Sequence, residues 1–164
     1  MTYAHDVPDG PGDPDPSGAI DAHPVPGRSI IAASWIGNIV YAGTALPAAA
    51  GVDAFDGPAI ATALVLFFVS LGIWTWAFVV ALARSAQGDD IVVANLFGTI
   101  GDAPRPVRWH LFGSLGVCVL ITVVTAAADP FGVLVPMLPL GFVGLWAARY
   151  GTFPPRRSPR PRRI

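Results

Sequence analysis

Residues 29–52 read SIIAASWIGNIVYAGTALPAAAGV, an apolar run with no charged side chain that exceeds the about 20 helical residues needed to cross a bilayer core. Three more runs of the same kind follow at 57–83, 109–128 and 130–148, and none of them contains an aspartate or an arginine. Composition agrees. Hydrophobic residues make up 53% of the 164-residue chain and charged residues 13%, roughly half the charged fraction of a soluble domain. The runs occupy most of the chain, leaving no room for a separate aqueous domain of ordinary size. The expected fold class is an all-α membrane protein. Its four transmembrane helices form an antiparallel bundle, with a short interfacial helix in the central cytoplasmic loop and disordered termini.

Arginine placement sets the expected orientation. All ten basic residues are arginines. Arg28 precedes the first run, Arg84, Arg105 and Arg108 lie between the second and third, and Arg149, Arg156, Arg157, Arg160, Arg162 and Arg163 follow the fourth. The two remaining loops carry only acids, Asp53 and Asp56 in one and Asp129 in the other. Basic loops stay on the cytoplasmic side, so both termini and the central loop are expected inside a plasma membrane that the chain crosses several times. Lysine and glutamate are absent while alanine, glycine and proline abound, a usage that fits a GC-rich bacterial genome. A competing reading treats Arg28, the first apolar run and Ala48-Ala49-Ala50 as a secretory signal. The long aspartate-bearing segment before Arg28 and the length of the run weigh against it.

Three domains are expected: an acidic Pro/Gly/Asp-rich arm over 1–28, the transmembrane domain over 29–150, and an Arg/Pro-rich tail over 151–164. The arm alternates Asp6, Asp9, Asp13, Asp15 and Asp21 with prolines and cannot bury enough apolar surface to order itself. His5 and His23 lie among these carboxylates without the spacing that fixes a metal site. The tail gathers Arg156, Arg157, Arg160, Arg162 and Arg163, candidate contacts for anionic lipid headgroups on the inner leaflet. In the central loop, Asp89 and Asp90 precede Val92, Val93, Leu96, Phe97 and Ile100 at helical spacing, which predicts the interfacial helix.

Within the apolar runs the polar residues fall into stripes. At 100° per residue, Ser34, Gly37, Asn38, Tyr41, Thr44 and Ala45 share one sector of the first helix, and His110, Ser114, Cys118, Thr122 and Thr125 share one sector of the third. Small and hydroxyl-bearing faces allow close helix approach and hydrogen bonding away from water. A seam between helices one and three is therefore expected, with Ser34, Asn38, Tyr41, Thr44, His110, Ser114, Thr122 and Thr125 as its candidate residues. A solute path along that seam is the alternative. Pro136 and Pro139 remove two backbone donors from the fourth helix and predict a kink.

Nothing in the sequence specifies catalysis. His110 and Ser114 set a base and a nucleophile one turn apart, but no third group orients them. Lone Cys118 excludes an intrachain disulfide. No buried acid or base of the kind that couples ions in transporters falls inside a run. No cofactor or nucleic-acid partner is implied. The expected function is that of a non-catalytic membrane component that assembles with itself or with another membrane protein, and the alternative is a small channel or transporter subunit.

Overall fold

The computed structural model of the chain describes residues 26–89, 91 and 103–153, and its regular elements are all helical. Four α-helices follow in order: α1 Arg28–Ala49, α2 Asp56–Ala86, α3 Arg105–Thr125 and α4 Met137–Tyr150. Short 3-10 turns lead into α2 (Asp53–Phe55) and α4 (Pro130–Leu134). With these turns included, four segments are long and apolar enough to cross a membrane. The acidic arm up to Val25, the interfacial helix and the five tail arginines lie outside the described residues.

Local chemistry sets the helix ends. Beyond α1, Gly51 adopts φ +83°, its N–H bonds Ala48 O at 3.0 Å, and the N–H of Val52 bonds Pro47 O at 3.1 Å. Beyond α2, Gly88 adopts φ +110°, and the N–H of Asp89 bonds Arg84 O at 3.3 Å. Both are left-handed glycine caps that satisfy the last carbonyls of a helix. α2 outruns its apolar stretch by a turn because the Arg84 side chain stays useful there. Its Nε pairs with Asp89 Oδ2 at 2.9 Å, its Nη1 donates to Ala148 O at 3.1 Å and Gly151 O at 2.9 Å, and its guanidinium lies 4.9 Å above the Phe153 ring. α3 starts a turn before its apolar stretch because Pro104 and Pro106 fall at positions where no backbone donor is required. It stops at Thr125, ahead of the expected 128, where the N–H groups of Ala128 and Asp129 both turn back to Thr125 O.

The fourth apolar stretch is broken rather than merely kinked. Pro136 cannot donate to Gly132 O, and Pro139 cannot donate to Val135 O. The chain responds with tighter bonds, Val135 N–H to Gly132 O at 3.0 Å and Leu138 N–H to Val135 O at 2.9 Å. Thr122 Oγ1 adds a bond to Gly132 O at 3.3 Å. A 3-10 turn therefore precedes α4.

α4 is the hub of the packing. Residues are buried over 67% of the apolar window that contains it, against 17% for α2. Its most extensive contact is with α2, α1 packs chiefly on α3, and both α1 and α3 touch α4, whereas α2 and α3 scarcely meet. Leu138, Phe142, Val143, Leu145 and Trp146 of α4 form the main apolar cluster with Ile30, Ala77, Val107 and Leu111. Trp146 Nε1 donates to Pro26 O at 3.0 Å and so ties the chain entering α1 to the end of α4. The outward faces carry Ile36, Ile39, Val65, Phe68, Leu82, Leu120 and Val123, all exposed.

Candidate functional site

The polar side chains of α1 and α3 meet along one interface. Near the middle of both helices Ser34 Oγ and Ser114 Oγ are 2.6 Å apart, and Asn38 Nδ2 donates to Ser114 O at 2.7 Å and to Ser114 Oγ at 3.0 Å. The amide orientation follows from chemistry, since Ser114 O can only accept. Further along, the Tyr41 hydroxyl and Thr125 Oγ1 are 3.3 Å apart. Thr125 Oγ1 gives its own proton to Ile121 O at 2.9 Å, so Tyr41 donates in this pair. Ser34, Asn38, Tyr41, Ser114, Thr122 and Thr125 are all buried. On α3, Cys118 lies between the two polar groups, part of an apolar cluster with Tyr41, Ala45, Ala63 and Val135.

Two of the eight seam candidates stand apart. Thr44 is half-buried, and its hydroxyl bonds back along its own helix, to Tyr41 O at 3.1 Å and Val40 O at 3.4 Å. His110 is exposed on α3 while Ser114 is buried and bonded to α1. This leaves no base-and-nucleophile pair on α3. Each of the two residues sits at the edge of its angular sector, where helix periodicity alone does not decide which side faces the neighbour.

Asp129 joins the seam although the sequence places it in a loop. It follows the last turn of α3 and is only 1% exposed. Its Oδ1 accepts the N–H of Phe131 at 3.1 Å and so starts the 3-10 turn. Its Oδ2 is buried without a hydrogen-bond partner, as is Asn38 Oδ1. Gly132 supports this end of the seam by its size. A Cβ there would collide with the Tyr41 hydroxyl and would lie 3.3 Å from Asp129 Oδ2. The sequence signal was an aspartate directly before proline, a pairing that favours a side-chain-capped turn. Its burial depends on the chain folding back, which spacing does not reveal.

A second contact also escaped the sequence reading. Trp74 of α2 donates from Nε1 to Met137 O at 3.1 Å, at the first residue of α4. A Cβ on Gly141 would stand 3.1 Å from Trp74 Cδ1, so the indole sits over a position left open by glycine. Among the described residues no group of three metal-ligating side chains occurs. The chain matches no family model, no curated protein and no solved structure.

Proposed function

We propose that the protein is a non-catalytic component of a bacterial plasma membrane, an antiparallel four-helix bundle with both termini cytoplasmic, which assembles with itself or with another membrane protein. The observation that carries this reading is the closure of the α1–α3 seam by direct bonds, Ser34 to Ser114, Asn38 to Ser114 and Tyr41 to Thr125. Side chains that satisfy one another hold helices in register. The apolar outer faces suit hydrocarbon. Contacts between helix ends agree with alternating directions: Trp146 near the end of α4 reaches Pro26 before α1, and Arg84 near the end of α2 reaches Ala148 and Gly151 at the end of α4. The arginine bias puts those ends inside. Arg156, Arg157, Arg160, Arg162 and Arg163 then lie where anionic headgroups attract them at about 1 kcal/mol each.

Crosslinking in native membranes followed by gentle detergent extraction tests the assembly role. The expected outcome is a discrete complex larger than one chain, weakened when residues 152–164 are deleted. A lone chain before and after crosslinking overturns it. The channel or transporter alternative draws support from the two buried acceptors without partners, Asn38 Oδ1 and Asp129 Oδ2, which lie on the same seam. Solute flux through proteoliposomes that changes with Asn38→Leu would favour that alternative.

A further inference from the structure

Asp129 is the one carboxylate among the described residues that is withdrawn into the bundle. An ionised carboxylate in such a place requires a compensating positive charge. None of the described arginines supplies it. Arg28 opens α1, Arg105 and Arg108 open α3, and Arg84 and Arg149 fall in the last turns of α2 and α4, whereas Asp129 follows the far end of α3. As the cap of the 3-10 turn, Asp129 receives one backbone N–H on Oδ1, from Phe131, which supplies a partial and not a full positive charge. The nearest acids in sequence to the end of α1, Asp53 and Asp56, are exposed.

Neutral oxygens gather at the same place. The Tyr41 hydroxyl and Asp129 Oδ2 both approach the space above Gly132, and they do not bond to each other. Because Tyr41 gives its proton to Thr125 Oγ1 and Thr125 gives its proton to Ile121 O, both hydroxyls keep lone pairs free. We propose that Asp129 Oδ2, the Tyr41 hydroxyl and Thr125 Oγ1 bind a partly dehydrated monovalent cation of the sodium class at this end of the α1–α3 seam. One carboxylate with neutral oxygens balances a single positive charge. A divalent ion would leave an excess charge buried and would call for more carboxylate or water ligands. Hard oxygen donors exclude a soft-metal preference. The inference goes beyond the assembly role and does not depend on it, since a bound cation would hold the bundle together whether or not the chain has a protein partner.

The test uses the purified full chain in detergent at fixed pH and ionic strength, with its unfolding temperature compared in sodium chloride, potassium chloride and choline chloride. Sodium is expected to raise the midpoint saturably, by about 5 °C over choline. Asp129→Asn should abolish the difference, and Tyr41→Phe, which keeps the ring, should reduce it by at least half. Equal midpoints in sodium, potassium and choline overturn the proposal, as does a sodium effect that survives Asp129→Asn. Should Asp129→Asn fail to fold, an undiminished sodium effect in Tyr41→Phe overturns it. A midpoint that follows pH but not sodium would assign the site to a proton and also overturn it.

Discussion

The two principal interfaces of this bundle are built from different materials. Between α1 and α3, hydroxyl and amide side chains bond across the gap, Ser34 and Asn38 to Ser114 and Tyr41 to Thr125. Between α2 and α4 the contact is broader and mostly apolar, with bonds from Trp74 to Met137 O and from Arg84 to Ala148 O and Gly151 O. In the first case side chain meets mainly side chain, and the register is fixed by which residues pair. In the second, long side chains of α2 reach backbone carbonyls of α4, and their positions depend on where α4 begins and ends. A hydrogen bond between membrane helices contributes about 0.6 kcal/mol on average. The seam therefore specifies alignment more than it contributes stability, and the more extensive α2–α4 contact contributes the larger share through van der Waals packing.

The comparison can be broken most forcefully at Trp74. Trp74→Ala removes the ring above Gly141 and the bond to Met137 O, and should destabilise the protein by about 2–3 kcal/mol, below the full-burial range because the indole is half-buried, measured by reversible unfolding in mixed micelles. Gly132→Val inserts atoms where the Tyr41 hydroxyl lies and should cost about 1–3 kcal/mol in the same assay. A smaller loss, about 1–2 kcal/mol, is expected for Asn38→Leu, which removes both bonds to Ser114. A double-mutant cycle of Asn38→Leu with Ser114→Ala should show coupling of about 0.5–2 kcal/mol, whereas Asn38→Leu with Trp74→Ala should be additive within about 0.5 kcal/mol. The least effect belongs to Thr44→Val and His110→Ala, each within about 0.5 kcal/mol of the parent protein, because neither side chain reaches across an interface. A large loss at either position would sharpen the boundary of the seam differently from the contacts described above.

The polar interface was the more legible of the two in the sequence. Serine, asparagine, tyrosine and threonine at helical spacing stand out against an apolar background, so Ser34, Asn38, Tyr41, Ser114, Thr122 and Thr125 could be assigned to facing stripes. Periodicity did not exclude Thr44 and His110 at the sector edges, since it gives an angle and not the position of a neighbour. The α2–α4 interface left almost no such trace. α2 is apolar on every side, and a stretch of that kind does not reveal which face is covered. The prolines of the fourth stretch announced an irregularity, but the 3-10 turn and the Thr122 bond to Gly132 O depend on what lies alongside. Asp129 was hidden for the same reason. Its sequence context is that of a surface turn, and only the return of the chain over Tyr41 and Gly132 buries it.

The proposed topology puts the α1–α2 junction outside the membrane and the α2–α3 junction inside. Cysteine labelling with a membrane-impermeant maleimide in intact cells tests this most directly, in a Cys118→Ala background with single cysteines at Asp53, Gly88 or Phe131. Asp53→Cys and Phe131→Cys should label without permeabilisation, and Gly88→Cys only after it. Labelling of all three from outside, or of Gly88→Cys alone, would contradict the account.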